Sequence, residues 1–283
     1  MIDGIVSKFQ NYTYNDSKTL KEYLIDLQNS GNLDTNNLQI QEYLLPDILT
    51  IFKKAILSRY ATDLLFQYNY WSWGFISLYY SNFFLAQSLN RLKGDFFIRL
   101  NNGMKNIQLD SDNQYKLLNT NSSDTHKKEF EKLRENYLFL IPNRNYKLVV
   151  PDDYSNRPFF NESKVRNDIN YTLDYFKELD NKFTQQIDLN LCKNNYIDNI
   201  TLSEFKLLEI NNKRLEFIFD LLNLVKEQNS NFEIKFNNFT KLLKKQLLYS
   251  NKLQPMKHIE KFRFQKKFHI PTNKINKQFK GYL

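Results

Sequence analysis

Between Leu64 and Asn90 the chain runs for 27 residues without a charged side chain. An uncharged stretch of that length has two homes: a bilayer, or the middle of a protein core. This one carries Gln67, Asn69, Asn82, Gln87 and four serines. In hydrocarbon each of these polar groups would lack a partner. The stretch therefore predicts a central helix buried on most sides, over about Trp71 to Leu92, and no membrane span. Phe75, Leu78, Tyr79, Phe83, Ala86 and Leu89 form one stripe at helical spacing, widened by Trp71, Ile76, Tyr80 and Phe84. Gly94 follows as a left-handed cap.

A helix apolar on most of its circumference needs neighbours, and the sequence offers them. Leu44, Ile48, Ile51, Phe52, Ala55 and Ile56 recur at three- and four-residue intervals from Leu38 onward. Pro46 belongs in the first turn of that segment or kinks it. Further helical periods cover Asp124 to Tyr137, about Glu162 to Leu191, Phe205 to Val225 and Phe236 to Leu248. Thr201 and Glu204 fit a capping box before the third of these. A short amphipathic helix, around Leu20 to Leu27, precedes them all. Six Gly and six Pro in 283 residues leave few tight turns, which disfavours a sandwich or barrel.

Strands are predicted in two places. Phe96 to Leu100 and Met104 to Leu109 flank Asn101-Asn102-Gly103, a three-residue hairpin connection with Gly where positive φ is needed. Tyr146 to Val150 reads as a short strand, and residues 110–124 as a polar loop. The expected fold is all-α: a helical bundle with a small β-hairpin insertion and a C-terminal helical extension.

The charge is unevenly placed. The net charge is +9, but residues 241–283 hold twelve basic side chains and one acid, Glu260. That segment is +11, leaving the first 240 residues at −2. Its lysines alternate with aromatics, a pattern that suits phosphates and exposed bases. Lys257, Lys261, Arg263, Lys266, Lys267 and Lys274 are the candidate nucleic-acid-binding residues. Docking to an acidic protein, or packing of the aromatics on the bundle, accounts for the same pattern.

Chemistry-bearing motifs are few. The single cysteine, Cys192, excludes a disulfide framework and a cysteine-rich zinc site, and reads as a buried thiol. No His, Asp and Glu cluster has metal-ligand spacing, and there is no phosphate-binding glycine loop, so no metal or cofactor is expected. His126, near a helix start, suits capping or packing, and His258 between lysines suits solvent. Arg263 and His269 share neither a helix face nor close quarters on a strand. Residues 1–10 show no signal peptide, and a soluble cytoplasmic chain is expected.

Three segments fall in an order similar to that of a known superfamily. Leu78-Tyr79-Tyr80-Ser81-Asn82-Phe83-Phe84-Leu85-Ala86 resembles the "YYA-x-F-x-A-A" helix of the HEPN superfamily of small helical bundles. Thr125-His126-Lys127-Lys128-Glu129-Phe130 is similar to the His-bearing start of the next helix in those proteins. Val165-Arg166-Asn167-Asp168-Ile169-Asn170-Tyr171 resembles their "φ-R-N-x-x-D-Y" segment, with Asn170 where Asp is common. The resemblance covers residues 38–192, with an insertion at about 95–125. Residues 1–37 form a separate polar and helical segment, and 193–283 the extension.

The resemblance implies a component of a bacterial toxin or antiviral system, often a metal-independent ribonuclease whose Arg and His, with four to six residues between them, pair across a dimer. RNA cleavage by its own 2′-hydroxyl needs a base of near-neutral pKa and a cation for the developing charge. Here Arg166 is followed at the expected distance by Tyr171, whose phenol, with a pKa of about 10, is a poor base at neutral pH. Arg166, Asn170 and Tyr171 are the candidate catalytic residues if the chain is an enzyme, a point the residues leave open. RNA and a second bundle, as homodimer or heterodimer, are the implied partners. The alternative is a non-catalytic dimerisation or scaffold module that docks a partner protein. The ridge Arg166, Asn170 and Asp174, at four-residue spacing, is the expected pairing surface.

Overall fold

The computed structural model describes residues 2–68, 70–120, 125–143, 145–150, Glu162, Arg166, Asn167 and 201–252. It is mostly helical with a small antiparallel sheet. The elements are α1 (Ile2–Ser7), α2 (Leu20–Asn29), α3 (Gln41–Gln67), α4 (Trp71–Lys93), β1 (Asp95–Leu100), β2 (Gly103–Leu109), β3 (Tyr115–Asn119), α5 (Thr125–Tyr137), α6 (Thr201–Gln228) and α7 (Ser230–Lys252).

The uncharged stretch supplies α4, the hub, and α3, α5 and α6 pack around it. Its polar residues explain why it belongs in protein rather than lipid. Ser81 Oγ donates to the Ala55 carbonyl of α3 at 2.8 Å. Asn82 Nδ2 donates to the Leu207 carbonyl of α6 at 3.1 Å. Asn90 Nδ2 reaches both the carbonyl and the carboxylate of Glu129 on α5, at 3.0 and 2.8 Å. Each polar group thus fixes one neighbouring helix, and buried polar atoms carry little cost when so paired. No helix among the described residues is long and apolar enough to cross a membrane. Gly94 ends α4 in the left-handed region, φ 86°, its N–H shared between the Asn90 and Arg91 carbonyls at 3.0 Å. Arg91, in the last turn, donates from Nε to Asp47 of α3 at 2.6 Å.

Pro46 is the sixth residue of α3, beyond the first turn. Having no N–H, it leaves the Glu42 carbonyl without its helical donor. The backbone N–H of Asn15 fills that role at 2.8 Å, so the irregular N-terminal segment completes the helix. Thr19 and Glu22 form a capping box on α2, with Glu22 N–H donating to Thr19 Oγ1 at 3.2 Å and Thr19 N–H to Glu22 Oε2 at 2.7 Å. Ile5, Val6, Phe9, Leu20 and Leu24 are buried in the same core as α3 to α7. Asn229 joins the two ends of the described chain. It accepts the Phe232 N–H at 2.9 Å, capping α7, and donates to the Phe9 and Tyr12 carbonyls at 2.7 and 2.8 Å.

Two strand predictions need correction. The hairpin is the first half of a three-stranded antiparallel sheet, order β1-β2-β3. Leu100 pairs with Gly103 (φ 111°), so the connection is two residues, not three. The predicted loop 110–124 contains β3. Asp110 turns the chain by accepting the N–H groups of Asp112 and Gln114, both at 2.9 Å, with Asn113 at φ 60°. Tyr115 and Leu117 then point into the core while Leu118 faces out. Tyr146 to Val150, predicted as a strand, contains a 3-10 turn at Lys147–Val149. Its backbone stays local, with the Val149 N–H on the Tyr146 carbonyl at 2.8 Å. In the predicted helix from Glu162 to Leu191, Glu162, Arg166 and Asn167 are helical, and the rest lies outside the described residues.

Candidate functional site

Tyr79 lies on α4 with its ring in the core, and its hydroxyl meets Nδ1 of His126 at 2.9 Å. His126 is the second residue of α5. Its imidazole stacks on Phe83 at 4.1 Å between ring centres and stands edge-on to Tyr80 at 6.2 Å. These contacts hold the ring in one plane, and the hydroxyl gives its two nitrogens different surroundings. The guanidinium of Arg166 lies 5.7 Å from the centre of the same Tyr79 ring. A cation and an imidazole from separate helices therefore meet on one aromatic side chain. Arg166 also donates from Nη1 to Asn167 at 2.6 Å. Both His126 and Arg166 are half-buried.

A second arginine fixes this arrangement from below. Arg214 of α6 is 1 % exposed and grips Glu162, 4 % exposed, through Nη1 at 3.0 Å and Nη2 at 2.7 Å. Its Nε donates to the Val149 carbonyl at 3.0 Å, and its guanidinium lies 5.4 Å from the Phe130 ring centre. Glu162 is four residues before Arg166, and Phe130 one turn of α5 after His126. Arg214 thus touches both site-bearing segments.

The base of α5 is tied down by a buried carboxylate. Glu129 is 2 % exposed and accepts Asn90 Nδ2 and, at 3.4 Å, Gln87 Nε2. Burial raises its pKa, partly opposed by Arg91 and by these two amides. Asn136 continues the chain of bonds to the Asn90 Oδ1 and the Asp95 carbonyl, at 3.0 and 2.9 Å. On α3, fully buried Arg59 donates to Asn211 and Asn212 at 3.2 and 3.0 Å and pairs with Asp63 at 3.3 Å. Burial lowers the Arg59 pKa and raises that of Asp63, each counteracted by the other's charge.

Of the predicted site residues, Arg166 is placed at this cluster. Asn170, Tyr171 and Asp174 lie outside the described residues, as do Cys192 and the basic residues Lys257, Lys261, Arg263, Lys266, Lys267 and Lys274. The described beginning of the basic segment is the last part of α7, where Lys241, Lys244 and Lys245 are exposed. His126 does pack, as its sequence position suggests, but against the ring that Arg166 also covers. Arg214, Glu162 and Glu129 are residues that the sequence reading missed. Arg214 did leave a signal: it stands seven residues from both Leu207 and Leu221, on the buried stripe of α6. A charge at a core position needs a buried partner. Among the described residues, no group of His, Cys, Asp and Glu could hold a metal ion.

No protein-family model, curated protein or solved structure matches the chain.

Proposed function

We propose that the chain is an RNA-binding, HEPN-like component of a bacterial conflict system, toxin or antiviral, and that Arg166 and His126 give it metal-independent endoribonuclease chemistry. The observation that carries this is the meeting of His126 and Arg166 on Tyr79, a 2.9 Å hydrogen bond to one and a 5.7 Å ring contact to the other. The sequence pattern lacks a histidine after Arg166, and α5 brings His126 to the Tyr79 side chain that Arg166 also contacts.

The roles follow from the groups. His126, its Nδ1 engaged by Tyr79, acts through Nε2 on the 2′-hydroxyl proton. Attack of that oxygen on the adjacent phosphorus breaks the bond to the 5′-oxygen, which leaves as a hydroxyl by taking a proton from water, and the other product is a 2′,3′-cyclic phosphate. Arg166 offers a planar cation to the phosphorane oxygens. The exposed lysines of α7, and the basic residues after it, add sequence-independent attraction to the backbone.

The test is expression in cells beside a gel of total RNA. The chain should arrest growth and fragment RNA, and Arg166→Ala and His126→Gln should each relieve both effects. Undiminished fragmentation by either variant would refute the assignment. Stable binding to a partner protein with no effect on RNA would favour the scaffold reading instead.

A further inference from the structure

Between Trp71 and Asn90, the side chains of α4 that reach solvent are Trp73, Ser77, Tyr80, Phe84 and Gln87; the others are buried. At about 100° per residue these five fall within an arc of roughly 80°, a single uncharged stripe along the helix. Trp73 is 56 % exposed, and Tyr68 and Tyr70, in the turn before it, are 46 % and 59 % exposed. The other end of the stripe closes where Gln87 meets Glu129.

From this stripe we infer a stacking track for the bases of single-stranded RNA, running along Trp73, Tyr80 and Phe84, with His126 and Arg166 beside it at Tyr80. The inference rests on the RNA reading above and adds where the strand lies. Tyr80 is the junction, since its ring is 5.5 Å from that of Tyr79 and 6.2 Å from that of His126. Trp73 and Tyr80 are about 10.5 Å apart along the axis and Tyr80 and Phe84 about 6 Å, given a rise of 1.5 Å per residue. Steps of that size are on the scale of nucleotide spacing. Aromatic faces take any base, so the track would be sequence-tolerant. From residue 64 to 90 no carboxylate opposes the phosphates, and the cation stands beside the aromatics, at Arg166. The stripe is one residue wide and broken by Ser77, which suits a strand better than a packed helix or a lipid surface.

The chain has two tryptophans, and Trp71 is 2 % exposed, so ligand contact is read at Trp73. The experiment titrates the full-length Trp71→Phe protein with a fluorescently end-labelled oligouridylate, following tryptophan quenching and the anisotropy of the label together. The track predicts quenching that saturates with the anisotropy midpoint. Trp73→Ala and Tyr80→Leu in the unmodified chain should each weaken binding about five-fold or more, the scale of one lost base stack. RNA binding by anisotropy with Trp73 unquenched and Trp73→Ala neutral would overturn the track and leave the RNA reading standing. No binding in either signal would end both. Blue-shifted Trp73 emission on phosphatidylcholine vesicles, without quenching by RNA, would assign the stripe to lipid and overturn the inference.

Discussion

Replacing Arg214 with Met removes three donors at once. Glu162, 4 % exposed, loses its bonds of 3.0 and 2.7 Å, and the Val149 carbonyl loses one of 3.0 Å. A buried carboxylate stripped of its partner costs about 3–5 kcal/mol. That is a large share of the roughly 5–15 kcal/mol that holds a domain folded. Arg214→Met should therefore lower the urea midpoint sharply at neutral pH, with an unchanged slope. Glu162→Leu with Arg214→Met should recover most of the loss, because an apolar pair of similar volume also avoids the desolvation of two charges. The assay is a double-mutant cycle by urea denaturation, which isolates the coupling of the two residues. A loss below about 1 kcal/mol for Arg214→Met, or a double variant no better than the single, would refute this account of the clamp.

Gly74→Ala should destabilise despite better helix propensity: the added Cβ overlaps the Phe66 ring, itself packed on Trp71 and Phe75, and overpacking of about 1–3 kcal/mol exceeds a propensity gain of about 1 kcal/mol. Thermal melting checks the sign. The pKa of Glu129 is raised by burial, so the folded state holds its proton to higher pH than the unfolded state does. Its contribution is greatest below the unfolded value and is lost as pH rises through the folded one. Glu129→Gln should accordingly gain on the parent between acid and neutral pH, as read from urea midpoints in that range. Tyr79→Phe should cost about 0.5–1.5 kcal/mol for the lost His126 bond, by the same measurement.

The helical part of the fold was legible because its signals are local. The uncharged stretch, the six-residue apolar pattern of α3 and Gly94 each state their structure within a few turns of chain. β3 was not legible, because its five residues sit among polar neighbours and its pairing is set by β2 and by Leu38, whose N–H donates to the Tyr115 carbonyl at 2.7 Å. The helix α1 is six residues long and too short to carry a period. Arg166 came from the resemblance. The contact between His126 and Tyr79 did not, because the two lie 47 positions apart, and the Glu162–Arg214 clamp joins residues 52 apart. Single-sequence periodicity reports which face is buried, not which side chains from different helices meet there.

The central claim is that Arg166 and His126 act as one unit on RNA. The direct measurement is the cleavage rate of a labelled RNA by the purified chain in excess EDTA, for the parent, Arg166→Ala, His126→Gln and the double variant. Groups that serve one transition state lose their effect together, so each single variant should abolish most of the rate and the double variant should be little worse than either. The product should carry a 2′,3′-cyclic phosphate. A single variant that cleaves at the parental rate, or cleavage by the parent that EDTA stops, would contradict the account.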